Sequence, residues 1–400
     1  MRADPEPVPA HVRAIDGFRG TSALLVAIFH CWMFTDPPLD RGPLRALLIA
    51  GGLGVDFFFV ISGFVLFLPV VRRAGRFGSL ASYALRRVAR IAPAYYVAVL
   101  VQAALTPMLS ELPSPFTSVG GLTVIGIHLL FLQHEVPRWL LRQVGFEARV
   151  MGFGVNDALW SLSIEAIFYV ALPLVAAFYF RRRVLAFVIA LVASLAWRWL
   201  AFHLPSLAST VGAANAVVGN APRLLEQFPG YLAHFAFGMS AAHVYARAWR
   251  DEPGMIAGFL RRRSGIVQAF ALALLVLSMI AYGLQPKGAA VSAYARYFVD
   301  LVPAFAFAAL MTSTALASPR GQWPMANPFA RWLGDVSYGA FLWHFPLILL
   351  FTHTLGVIAG RGNLSFVGLC AFVLPSAFFL GWLSRRFIEE PAIAWARGRA

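Results

Sequence analysis

About ten apolar runs of roughly twenty residues, each bordered by arginines, limit what this chain can fold into. Runs of that length cross the hydrocarbon of a bilayer as α-helices, which satisfy their own backbone groups where no water is present. The candidate spans are about 20–36, 47–70, 88–108, 155–180, 184–202, 229–249, 265–284, 295–317, 334–357 and 364–386. A transmembrane β-barrel would need short strands of alternating polarity, and the sequence has no such pattern. Charged residues make up only 13% of the 400 positions, about half the share in a soluble domain. The expected fold is an all-α, polytopic membrane helix bundle forming a single domain over 1–400, with no fused soluble domain.

The 33 basic residues outnumber the 18 acidic ones, a balance that in a soluble protein would suggest nucleic acid. Here the arginines flank the spans, so topology and lipid headgroups account for most of them, and no nucleic-acid partner is expected. Charge also decides a doubtful segment, VGGLTVIGIHLLFLQH at 119–134. Ten spans with a cytoplasmic N-terminus put most basic residues inside, whereas an eleventh span at 119–134 would divide them almost evenly. The positive-inside rule therefore predicts ten spans, both termini cytoplasmic, and a re-entrant or interfacial segment at 119–134. The first run has a histidine and no small-residue cleavage site, so it reads as a retained helix and not a signal peptide. Cys31 and Cys370 lie in apolar runs and read as packing residues.

Polar groups inside apolar runs are the candidates for chemistry. In IDGFRGTSALLVAIFH (15–30), Arg19 and His30 are eleven residues apart. On a helix that is about 16 Å of rise and close to whole turns, so both side chains share a face. Either both face a hydrated cavity, or Arg19 snorkels to headgroups and His30 bonds a neighbouring helix. In GGLGVDFFFVISGF (51–64), the glycines allow close backbone approach. Asp56 there needs a partner, for which Arg19 and His30 are the nearest candidates, or else it caps a helix. In YALRRVARIAPAYY (83–96), Arg86, Arg87 and Arg90 share a face, and Pro93 permits a break or bend. Clustered guanidiniums bind phosphates through paired hydrogen bonds, although they also serve as positive-inside anchors. NDALWSLSIEAIFYVALP (156–173) carries Ser161, Ser163 and Glu165 into an apolar helix, and Glu165 is the charge lipid would tolerate least. His344 stands beside Pro346 in SYGAFLWHFPLILL (337–350), where the helix should open locally. Ser163 and His344 are secondary candidates, Arg223, Glu226 and His234 weaker ones, and Glu389 and Glu390 read as a helix-ending cap.

Taken in order, the motifs IDGFRGTSALLVAIFH, GGLGVDFFFVISGF, RRVARIAP, WSLSIEAIFYVALP and SYGAFLWHFP make nearly the whole chain resemble the membrane acyltransferase-3 family. The resemblance implies a ten-span enzyme of the bacterial inner membrane. Such enzymes move an acyl group, commonly acetyl from acetyl-CoA, to a hydroxyl of a surface polysaccharide or another small acceptor. It implicates Arg19 and His30 as an essential pair, Arg87 and Arg90 as binders of the CoA phosphates, and Asp56 and Glu165 as acids of less settled role; Arg86 joins the expected phosphate binders through the face it shares with them. Where many members carry a second acid or glutamine after the WSLxxE glutamate, this chain has Ala166 and Ile167. The expected partners are acyl-CoA, a carbohydrate or other hydroxylated acceptor, and the lipid bilayer, and no metal is expected.

The expected chemistry follows from the reaction. A base must take the hydroxyl proton, the oxyanion needs stabilising, and two substrates must meet. His30 is the expected base, with Glu165 or Asp56 orienting it, and Arg19 lies along the path of the pantetheine arm or near the developing oxyanion. Transient acylation of His30 is the alternative. A proton-coupled transporter or a passive scaffold would use the same buried charges differently. Acceptor specificity is expected in residues 109–154 and 203–228.

Overall fold

The computed structural model describes residues 8–9, 11–37, 39, 42–110, 112–136, 156–210, 226–249, 254–285, 298–356 and 362–399. Arg223, Lys287 and, of the expected specificity segments, residues 111, 137–154 and 211–225 lie outside these residues. Among the described residues every regular element is helical. The helices are α1 (Arg13–Thr35), α2 (Pro43–Ala50), α3 (Gly54–Arg72), α4 (Leu80–Leu109), α5 (Val119–Leu129), α6 (Trp160–Arg181), α7 (Arg183–Thr210) and α8 (Leu232–Arg247). They continue with α9 (Met255–Arg262), α10 (Ser264–Gly283), α11 (Leu301–Leu316), α12 (Pro319–Ala326), α13 (Pro328–Leu349), α14 (Asn363–Ser384) and α15 (Glu390–Arg397).

Eight helical stretches among the described residues are long and apolar enough to cross a membrane. The other two expected spans are α8 and α11, of 16 residues each. They are shorter than the roughly 20 residues a bilayer asks for. Most of their side chains are buried against other helices, so the lipid thickness does not dictate their length. Helix α5, of 11 residues, is about 16 Å long, half a bilayer, and fits the re-entrant or interfacial reading of 119–134. Helices α1 and α4 begin several residues before their apolar runs, because hydropathy marks the lipid slab and not the helix end. Arg19, Arg86, Arg87 and Arg90 therefore sit on rigid helical turns. Helix α4 also runs unbroken through Pro93, contrary to the permitted break.

An inner layer pairs α1 with α13 and α3 with α8. Glycines allow both approaches. A Cβ on Gly334 would lie 1.9 Å from the Asp16 carbonyl oxygen, and one on Gly238 would lie 1.9 Å from that of Val60. Gly54 meets α1 in the same way, its Cβ position 2.5 Å from the Ser22 oxygen, as the glycine-rich motif implied. Helices α7, α10 and α14 form the outside, exposing Val184, Ile189, Ile266, Phe270, Leu364 and Val367 to the lipid. Helix α9 exposes Met255, Ile256 and Phe259 and ends in Arg261–Arg262, the pattern of a helix lying in the interface.

Candidate active site

At the arginine-bearing end of the inner layer is a cavity of about 440 Å³. Arg19 reaches it from α1, and Arg86, Arg87 and Arg90 reach it from α4. Ser79 caps α4, accepting the Ser82 amide N–H at 3.2 Å, and the three arginines share a face in the turns that follow. None of the four makes an ion pair within 4.0 Å among the described residues, and Arg87 Nε is buried without a hydrogen-bond partner. Arg385, also on the wall, is by contrast engaged by Asp335 at 3.3 Å and Glu390 at 3.2 Å.

Glu165 also lines the cavity. One of its oxygens accepts the Ser62 hydroxyl at 2.8 Å and the Tyr169 hydroxyl at 2.5 Å. Tyr169 stands one turn further along α6, and the Tyr83 hydroxyl ties α4 to the Tyr169 carbonyl at 3.1 Å. Phe58 and Phe341 are also on the wall, with ring centroids 6.1 Å apart.

Outside the lining, His30 meets His344. Nδ1 of His30 is 2.9 Å from Nε2 of His344, and the rings stack at 5.0 Å. Phe341 is 5.5 Å from the His344 ring, so four rings run in sequence from the cavity to His30. Pro346 has no N–H for the Leu342 carbonyl, which instead accepts Nε2 of Gln102 and Nδ2 of Asn156, each at 2.9 Å. Helix α13 itself runs on through Pro346, so the expected opening amounts to one freed carbonyl, whose new bonds tie α13 to α4 and to the start of α6.

Three expected relations do not form. Asp56 pairs with neither Arg19 nor His30. Its carboxylate lies 3.1 Å from His234 Nε2, which is 3.5 Å from Asp300, itself gripped by Arg198 at 2.6 and 3.0 Å. Four helical segments supply this buried cluster, and sequence adjacency could not foretell it. Glu165 does not touch His30 either. Ser163 is fully buried on the far side of α6, where its hydroxyl accepts the His134 amide N–H at 3.4 Å. Asp56, His234 and Asp300 place three ligand atoms within 4.8 Å, close enough for one cation. Arg198 already occupies both oxygens of Asp300, so the donors serve an ion-pair network that joins α3, α7, α8 and the start of α11.

Sequence reading missed Ser62, Tyr169, Tyr338 and Phe341 on the cavity wall. Tyr169 had a usable signal, its i+4 spacing from Glu165. Glu389, read as a cap, is 1% exposed and lies in the electrostatic neighbourhood of Arg90, Arg385 and Arg19.

The sequence model of the acyltransferase-3 family, described as an acyltransferase domain, matches residues 12–383. The chain belongs to the acyltransferase-3 family. Among its relatives, acyltransferase MdmB of Streptomyces mycarofaciens is 26% identical, the match covering 97% of this chain and 93% of the relative. Peptidoglycan O-acetyltransferase OatA of Listeria monocytogenes is 23% identical over 95% of this chain, which spans only 56% of that protein. Nodulation protein 10 of Rhizobium leguminosarum is 30% identical over 47% of this chain. No solved structure matches. This acyltransferase-3 member is therefore a multi-pass membrane acyltransferase.

Proposed function

We propose that the enzyme takes an acyl group, foremost acetyl, from cytoplasmic acyl-CoA and transfers it to a hydroxyl of a glycan or other small acceptor. It does so in the bacterial inner membrane, with both termini in the cytoplasm. The observation that carries this reading is four guanidiniums facing one cavity with, among the described residues, no carboxylate within ion-pair distance of any of them. Arginine cations left unpaired in a partly buried site are costly unless an anion comes to them. CoA brings a diphosphate and a ribose phosphate, which the planar fork of arginine grips through paired hydrogen bonds. Glu165, fixed by Ser62 and Tyr169, puts a negative charge in the same cavity. It limits how far the phosphates can travel, while the uncharged pantetheine arm goes on. The relatives' names support an acyl acceptor of the kind OatA modifies, and MdmB supports the transferase reading without naming an acceptor.

His30 is the base in this proposal. It takes the proton of the acceptor hydroxyl as the oxygen attacks the thioester carbonyl, and returns it to the CoA thiolate as the tetrahedral intermediate collapses. Arg19, on the same face of α1 and about three turns nearer the cavity mouth, steadies the arm or the oxyanion.

The test is release of free CoA thiol by detergent-purified protein given acetyl-CoA with and without a hydroxylated acceptor. Acceptor-dependent release is expected, and a transporter or a scaffold would give none. Folded His30→Ala protein should lose about 10²- to 10⁴-fold in rate. Full transfer by that variant would remove His30 from the reaction.

A further inference from the structure

We infer that His344 is the positioning residue for His30: it holds the ring so that Nε2 of His30 carries the free lone pair that meets the acceptor hydroxyl. The argument rests on the reading of His30 as base and on a chain of hydrogen bonds with one consistent assignment of protons. Nδ1 of His344 lies 2.7 Å from the Phe341 carbonyl oxygen. A carbonyl only accepts, so this nitrogen carries a hydrogen and donates it. Nε2 of the same neutral ring is then an acceptor, and it faces Nδ1 of His30 at 2.9 Å. Nδ1 of His30 must therefore donate, and a neutral imidazole with its proton on Nδ1 has its lone pair on Nε2. His344 is 1% exposed, so no water competes for that contact.

The surroundings keep the assignment in place. The His344 bond to Phe341 stays within α13, one turn back, so it moves with the helix. Gln102 and Asn156 take the Leu342 carbonyl that Pro346 leaves free, fixing the segment that carries His344. Phe345 closes the other side of the His30 ring, edge-on at 5.1 Å. Asp56 and Glu165 are bound elsewhere, so among the described residues the supporting group is a second imidazole and not a carboxylate. During transfer the proton arrives at Nε2 of His30 and leaves from it. The Nδ1 hydrogen stays in place, and His344 only shares the transient positive charge through its lone pair. No net proton remains on the pair after a turnover.

The decisive experiment compares His344→Ala, His344→Gln and His30→Ala as folded, purified proteins. The glutamine side-chain oxygen can still accept the Nδ1 hydrogen of His30, whereas alanine cannot. His344→Ala should lower kcat about 10- to 100-fold, less than outright loss of the base, with the KM for acetyl-CoA unchanged. His344→Gln should recover most of that loss. A merely structural role would lower both variants together or alter KM and folding along with kcat. Unchanged kcat in His344→Ala, or a glutamine variant no better than alanine, overturns the proposal. An inactive His30→Ala beside a fully active His344→Ala would end this inference alone, while full transfer by His30→Ala would end the reading beneath it.

Discussion

A guanidinium with no carboxylate beside it is expensive inside a helix bundle, and Arg87 is the clearest instance, its Nε buried and, among the described residues, unpartnered. The cost points to an anion that comes and goes. Arg87→Ala or Arg90→Ala should weaken CoA binding about 10- to 100-fold by calorimetry, the worth of one or two charge-assisted hydrogen bonds. Dephospho-CoA should lose less in whichever variant removes the partner of the ribose phosphate, and equal losses throughout would refute phosphate recognition. At this scale much of the site was legible. Arginine spacing on one helix and a glutamate in an apolar run are local facts, and both residue sets face one cavity. Asp56 was not legible in the same way, because its partners His234, Asp300 and Arg198 come from three distant segments whose approach only the packed bundle creates.

At the scale of elements, the pairing of α1 with α13 matters most, since one helix carries His30 and the other His344. Their approach depends on residues without side chains. A methyl on Gly334 would lie 1.9 Å from the Asp16 carbonyl, and one on Gly20 would meet the Leu333 side chain at 2.6 Å. Gly334→Ala should therefore push the helices apart at a cost of about 1–3 kcal/mol. The expected result is a melting midpoint lower by roughly a few degrees in detergent, with a larger fall in kcat than in CoA affinity. A variant with normal kcat would mean that the histidine contact tolerates the shift. The helices themselves were easy to read, because long apolar runs in a membrane protein allow little else. Their ends were not. Hydropathy stops at the lipid edge, whereas α1 and α4 continue outward and lend their rigidity to the arginines. The lengths of α8 and α11 escaped for the opposite reason: a helix enclosed by protein is released from the thickness of the bilayer.

For the molecule as a whole, the expectation that Arg19 and His30 both face one hydrated cavity holds for Arg19 and fails for His30. Both lie on α1 as the eleven-residue spacing required, but only Arg19 lines the cavity; His30 is reached from its wall through Phe341 and His344. No sequence pattern announced this, since Phe58 and Phe341 belong to α3 and α13 and look like ordinary apolar filling. Their position has a consequence under the proposed reaction, in which an activated ester is held near a base. Water is always present at the membrane surface, and a thioester resting within reach of an imidazole would be squandered on it. On the proposed reading the two rings serve as a stopper between donor and base, keeping an idle acyl donor intact until a true recipient draws it through. Phe341→Ala keeps the backbone carbonyl that holds His344 while removing the stopper, and should make the enzyme leak, releasing CoA from acetyl-CoA with no recipient present. An acceptor-free rate no higher than in the parent enzyme would show that thrift is secured elsewhere.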